Sequence, residues 1–295
     1  MSSVLLTGSS SGIGLATALN LSRAGHTVYA TMRNPDRAPQ LRETIAKEKL
    51  PVSVLTMDVD SDESIAAAAS IIRSQAGFID VLANNAGIER RGSIEESPLE
   101  DFRATMETNY FGALRCTRTF LPEMRERRSG CIINVTSIAG RIACSPLAPY
   151  SASKFALEAL SEALAQEVKP FNIRVAILQP GIIDTPMARR IEAPPGESHY
   201  PQCRRFAGMF GASLESPTPP SLVAEKIREI IDSETWQLRH PVGPDSVPFL
   251  RWRAAMTDEE WVNWGALDDA SWYERVQNDF GLDAHPKDRR HRAGA

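Results

Sequence analysis

Val4-Leu-Leu-Thr7-Gly8-Ser-Ser-Ser-Gly12-Ile-Gly14-Leu-Ala-Thr-Ala-Leu19 begins as a short apolar strand, turns through glycines and continues as an apolar-periodic helix. A strand, a glycine turn and a helix in that order form a phosphate cradle. Gly8 permits the tight turn, Gly12 lets the backbone approach a pyrophosphate, and Gly14 lets the helix pack on the strand. Free N–H groups and the helix dipole then face the anion. The spacing, Gly-x-x-x-Gly-x-Gly, departs from the common Gly-x-Gly-x-x-Gly fingerprint. A serine- and glycine-rich loop is the bland alternative, and its position directly after an apolar strand argues against that.

Outward from this unit the chain alternates. Strand-like runs at Val4–Thr7, Thr27–Thr31, Val52–Met57, Val81–Ala83, Cys131–Thr136 and Arg174–Gln179 are separated by helical patterns near 13–24, 36–49, 62–76, 98–127 and 150–168. Alternation of this kind implies right-handed crossovers and a parallel sheet covered on both faces. The fold expected is α/β, a single doubly wound Rossmann-type domain. Ligands of such sheets sit beyond the carboxyl ends of the strands. The Gly8 loop, Asn84-Asn-Ala-Gly87, Ser137 and Pro180-Gly181 all fall at such ends.

Composition excludes several classes. The chain has 295 residues, 42% hydrophobic and 24% charged, with a net charge of -4, which gives nucleic acid no reason to bind. No apolar run is long enough to span a bilayer. The first strand begins almost at residue 1, which leaves no room for a secretion signal. Cys116, Cys131, Cys144 and Cys203 show no Cys-x-x-Cys spacing, so a reduced, cytoplasmic protein without a metal site is expected.

The segment Tyr150-Ser-Ala-Ser-Lys154-Phe-Ala-Leu-Glu-Ala-Leu is rich in good helix formers, so Tyr150 and Lys154 share one helical face. A tyrosine titrates near ~10 in water, and an adjacent cation lowers that value by favouring the phenolate. Reaching neutrality takes about three units, roughly 4 kcal/mol. Lysine alone seldom supplies that much, so the pair makes most sense beside a cationic nicotinamide.

Taken together, Thr7-Gly8-Ser-Ser-Ser-Gly12-Ile13-Gly14, Asp58, Asn84-Asn85-Ala86-Gly87, Asn109, Ser137, Tyr150-x-x-x-Lys154 and Pro180-Gly181-Ile-Ile-Asp-Thr185 resemble the short-chain dehydrogenase/reductase family over roughly residues 3 to 235. The resemblance implies that Tyr150 is the general acid/base, that Lys154 lowers its pKa and holds the nicotinamide ribose, and that Ser137 binds the substrate oxygen. Asn109 is implied to anchor a water relay to Lys154. For the cofactor, the resemblance points to Gly8, Ser10, Ser11, Gly12, Ile13 and Gly14 in the loop. It adds Asp58 and Val59 at the adenine, Asn85, Ala86 and Gly87 beneath the adenosine and ribose, and Pro180, Gly181, Ile183 and Thr185 at the carboxamide.

Users of NAD place an acid at the end of the second strand, which repels a 2′-phosphate. Here that strand ends Tyr29-Ala-Thr-Met-Arg33, and Arg33 can pair with phosphate. NADP(H) is therefore expected, with NAD(H) the possible alternative. Substrate contacts are expected from Ser137, Ile138, Cys144, Leu147, Tyr150, Phe206 and Phe210. The phrases Val28–Arg33 and Ala152–Glu158 resemble 17-beta-hydroxysteroid and retinol dehydrogenases, which implies a bulky apolar ketone or secondary alcohol.

The expected organisation is a catalytic domain at 1–240 with a substrate loop at about 182–220, a helical extension at 241–282 packed on it, and a disordered tail at 283–295. Trp252, Trp261, Trp264 and Trp272 read as packing for the extension. By analogy with the family a homodimer or homotetramer is expected. The reading is an NADP(H)-dependent oxidoreductase interconverting a secondary alcohol and a ketone. Its alternatives are an NAD-dependent hydroxysteroid-type dehydrogenase or a non-catalytic dinucleotide sensor.

Overall fold

Val4, Leu5 and Leu6 are fully buried, and they alternate between two hydrophobic clusters, Val4 and Leu6 in one and Leu5 in the other. Such alternation is what a strand covered on both faces requires. The computed structural model describes residues 1–192, 196–233 and 235–286. The stretch 287–295 of the expected tail, with 193–195 and 234, lies outside the described residues.

The first half of the chain runs β1 (Ser3–Thr7), α1 (Gly12–Arg23), β2 (Thr27–Met32), α2 (Pro39–Glu48), β3 (Val52–Thr56), α3 (Asp62–Ala76), β4 (Val81–Asn84), α4 (Leu99–Met106) and α5 (Gly112–Arg127). The second half runs β5 (Gly130–Val135), α6 (Ala148–Val168), β6 (Ile173–Pro180), α7 (Pro186–Glu192), α8 (Gln202–Ser213), α9 (Pro220–Asp232), β7 (Arg239–Val242), α10 (Ser246–Ala254), α11 (Asp258–Gly265) and α12 (Asp269–Phe280).

All strand pairs are parallel, in the order β3-β2-β1-β4-β5-β6-β7. The order reverses between β1 and β4, the switch point at which doubly wound sheets bind ligands. Leu5 pairs with Tyr29 on one side and Leu82 on the other, so the carboxyl ends of these strands form one rim. The sheet is thus the doubly wound, Rossmann-type parallel sheet that the alternation predicts.

Three features differ from the sequence reading. The stretch 182–220 is not a structureless loop, because α7 and α8 form within it, and Phe206 and Ala207 of α8 are buried. The helical pattern 98–127 is broken by a π-helical turn, Glu107–Phe111, that carries Asn109. Ala284, in the stretch assigned to the tail, is buried beside Trp272, Tyr273 and Val276, and its carbonyl oxygen would lie 2.2 Å from a Cβ at Gly208.

Candidate active site

At the amino end of α1 the backbone takes up a shape that only glycine fits. Gly8 and Gly12 have φ of 72° and 53°, in the left-handed region. A Cβ on Gly14 would lie 2.1 Å from the Gly8 carbonyl oxygen, and one on Gly8 would lie 2.7 Å from Ala86 Cα. The loop is tied to the end of β4: Thr7 Oγ1 accepts from the N–H groups of Asn85 (3.0 Å) and Ala86 (2.9 Å), and Asn85 Nδ2 donates to the carbonyls of Thr7 and Gly8. Ser11, the extended N-cap of α1, makes no side-chain cap. The orphan N–H groups of the first turn therefore remain for an anion.

Every candidate residue except Asn109 lines one cavity of about 670 Å³. The glycine loop, Arg33, Asp58, Val59, Asn85, Ala86 and Gly87 share it with Pro180, Gly181, Ile183 and Thr185. Ser137, Tyr150 and Lys154 line it too, with Ile138, Cys144, Leu147, Phe206 and Phe210. Arg33 is exposed at the end of β2 and makes no ion pair among the described residues. A closely approachable loop with uncapped N–H groups fits the phosphates of a dinucleotide.

Asn109 is buried beside the cavity, and its amide is fully engaged. Its Oδ1 accepts from Ile88 N at 2.8 Å, while Nδ2 donates to Ile88 O and Ser153 Oγ, each at 2.9 Å. The π-helical turn points it at the strand end, where a Cβ on Gly87 would meet Asn109 Oδ1 at 3.2 Å and Lys154 Nζ at 3.7 Å. Asn109 thus clamps the backbone that follows β4.

The pair in α6 departs from the electrostatics read in the sequence. Lys154 is 4% exposed and donates from Nζ to the Val135 carbonyl at 2.8 Å. Its Nζ stands 5.6 Å from the centre of the Tyr150 ring. Burial pushes the lysine down to about 8. Burial also pushes the Tyr150 phenol up to about 12; hydrogen bonding with Ser137 draws it partly back, and the charge of Glu89 adds to the rise. The protein by itself therefore holds the phenol protonated rather than acidified.

Sequence reasoning missed two supports of the site. Asp245 clamps the turn after β6: its carboxylate accepts from Ile182 N at 2.7 Å and fills the space over Gly181, where a Cβ would lie 2.1 Å from Asp245 Oδ1. The second is a buried network on Glu158, which accepts from Thr136 Oγ1 (2.8 Å), Gln179 Nε2 (3.0 Å) and Arg239 Nε (3.0 Å). Both depend on β7, hidden in the sequence because Arg239-His-Pro-Val242 carries a proline that only an edge strand tolerates. The tryptophans also do more than pack the extension: Trp252, Trp261, Trp264 and Trp272 all line the cavity, and Trp261 and Trp264 stack with centroids 5.3 Å apart.

Comparison with known proteins agrees with this geometry. The chain is 35% identical over 266 residues to the uncharacterized oxidoreductase YusZ of Bacillus subtilis (strain 168), covering 87% of this chain and 94% of that protein. It is 38% identical over 266 residues to retinol dehydrogenase 8 of Bos taurus, covering 85% of this chain and 84% of that protein. A short-chain dehydrogenase from Streptomyces avermitilis superimposes with a TM-score of 0.76 at 33% identity, over 94% of this chain and 97% of that one. The family model for short chain dehydrogenases matches residues 2–196. With a switch-point cradle, a tyrosine and lysine on one cavity wall and that match over most of the sheet, the chain belongs to the short-chain dehydrogenase family, whose members are NAD(P)(H)-dependent oxidoreductases.

Proposed function

We propose that the protein is an NADP(H)-dependent reductase of ketones, running the reverse alcohol oxidation when cofactor ratios favour it. The observation that carries this is that Ser137, Tyr150 and Lys154 line the same cavity as the glycine loop and Arg33. When bound, the nicotinamide supplies the hydride. The chain's own residues do the rest. Ser137 positions the substrate carbonyl and donates to its oxygen as negative charge develops. The Tyr150 phenol donates its proton to that oxygen, and solvent later restores it. Burial keeps the phenol protonated at neutral pH, the form that donates to a carbonyl oxygen. Lys154, fixed to Val135 O at 2.8 Å, sits where it can hold ribose hydroxyls, and the Asn109 clamp fixes the Gly87–Ile88 backbone beside it.

Arg33 supports NADP(H) over NAD(H), since no acidic residue stands at that strand end to repel a 2′-phosphate. The aromatic cavity lining supports a bulky apolar substrate, in keeping with the retinol named for one relative. A homo-oligomer remains part of the proposal by family analogy, and light scattering showing only monomer would remove it. The reading is tested with purified protein, NADPH and a panel of aryl and polycyclic ketones. Turnover lost in Tyr150→Phe with NADPH binding kept supports it. Equal affinities for NADPH and NADH, unchanged in Arg33→Ala, would defeat the cofactor assignment.

A further inference from the structure

Among the described residues, Glu89 is the one acidic side chain on the cavity wall that neither the cradle nor the proton-donating pair uses and whose charge acts on the Tyr150 phenol. Its place is set by its neighbour. Ile88 is held at both its N–H and its carbonyl by the Asn109 amide, so the residue that follows enters the cavity from a fixed backbone. Glu89 Oε1 is enclosed and has no hydrogen-bond partner among the described residues. A carboxylate left in this state is costly, and native proteins rarely keep one without a reason.

The charges around it narrow the choice of partner. Arg91, Arg190 and Arg90 attract its charge and Asp101 opposes it, yet burial outweighs them and raises its pKa. Arg91 is engaged with the carbonyls of Ile191 and Arg190. A cationic ligand group would meet these guanidinium groups as like charges. A neutral donor meets no such opposition, and a hydroxyl is the common neutral donor on a carbon skeleton.

We propose that Glu89 is a specificity-determining residue that accepts a hydrogen bond from a substrate hydroxyl near the reacting carbon, favouring hydroxyketones over matched plain ketones. The inference rests on the ketone-reductase reading above and deepens it by naming a second polar group on the substrate. A hydroxyl in that position also disperses the carboxylate charge that opposes loss of the Tyr150 proton.

The test compares acetophenone, α-hydroxyacetophenone and α-aminoacetophenone as NADPH-linked substrates of the wild type, Glu89→Leu and Glu89→Gln. Because α-substituents change intrinsic ketone reactivity, the quantity read is each variant's selectivity ratio divided by that of the wild type. A hydrogen bond to a charged acceptor leads us to expect the hydroxyketone preference in kcat/KM to fall about tenfold or more in Glu89→Leu, chiefly through KM. Glu89→Gln keeps an acceptor and should retain part of the preference. In Glu89→Gln the limb of the pH profile belonging to Tyr150 should also move to lower pH, which a structural role alone would not produce.

Calorimetric binding of the three ketones in the presence of NADP+, which has no hydride to give them, reads the same ratio without turnover, so failure of the reductase reading is seen separately. An unchanged hydroxyketone ratio in Glu89→Leu overturns the proposal. So does a preference for the aminoketone that depends on Glu89, or binding of none of the three.

Discussion

Replacing Gly14 by alanine is expected to damage the dinucleotide site far more than the fold. The new Cβ would stand 2.1 Å from the Gly8 carbonyl oxygen and 2.7 Å from Asn85 Nδ2. To open the first contact to even 3.0 Å, the Gly8 carbonyl must retreat by about 0.9 Å, and both contacts are with groups that cannot easily yield. Gly8 O is held by Asn85 Nδ2 at 3.0 Å, and Asn85 N is held by Thr7 Oγ1, also at 3.0 Å, so the loop moves as a unit away from the end of β4. Overpacking of this sort costs about 1–3 kcal/mol. Alanine's better helix propensity offsets roughly 1 kcal/mol of that in stability, but does nothing to restore the loop's shape. At about 1.4 kcal/mol per decade, NADPH binding should weaken roughly five- to 150-fold. Titration of nicotinamide fluorescence reads the affinity, with Gly196→Ala as the control, since a Cβ at Gly196 meets nothing within 4 Å and lies off the cavity wall. NADPH affinity within twofold of wild type, or an equal loss in the control, would refute the role assigned to this close approach.

Glu158→Ala removes the acceptor shared by Thr136, Gln179 and Arg239; Thr136 keeps the Leu178 carbonyl and Arg239 keeps Glu162, but the buried Gln179 amide loses its partner, so a loss of about 1–3 kcal/mol is expected, read as a lower midpoint in urea or heat. Asp245→Ala frees the Ile182 N–H held at 2.7 Å and should raise the KM for the cofactor several-fold while sparing the midpoint more than Glu158→Ala does. Lys154 sets a pH dependence of stability. Its folded value is about 8, below the 10.5 of a free lysine, so the unfolded chain binds more protons between those values and wild-type stability rises with pH across that window. The wild type should therefore gain on Lys154→Met in thermal melts between pH 8 and 10.5, and parallel melting curves would contradict the desolvation assigned to the ammonium.

How far the sequence discloses this architecture depends on the range of the interactions involved. The cradle is local: Thr7 to Gly14 supply strand, turn and helix within a few residues, and their chemistry can be read without knowing what lies opposite. The central strands are legible for the same reason, because Ile132-Ile133 or Val175-Ala-Ile-Leu178 must be covered on both faces wherever they sit. What escapes is long-range. Asp245 reaches Ile182 across more than sixty residues, and Arg239 reaches Glu158 across about eighty. Neither carries a spacing signal, since a lone acid or arginine in a polar segment has many uses. The extension hid its contribution differently. Its tryptophans form ring contacts with one another as well as lining the cavity, so both roles produce the same aromatic pattern in sequence.

The tyrosine is where sequence electrostatics and structure part, and the reason bears on mechanism. A phenol and an ammonium one helical turn apart attract only to the extent that water does not separate them and that the ammonium is free to turn toward the ring. In the folded protein the Lys154 ammonium is directed to the Val135 carbonyl at 2.8 Å, and lost hydration is the largest influence on both groups. Glu89 adds opposition on the same wall. The consequence, in the protein without dinucleotide, is a Tyr150 that stays protonated through the physiological range; in the proposed reaction it would give up its proton to an oxygen made basic by the arriving hydride. If Tyr150 instead titrated near neutrality in the protein without dinucleotide, by its ultraviolet difference spectrum against Tyr150→Phe, burial would not be the governing influence and the protonated resting donor would lose its physical basis.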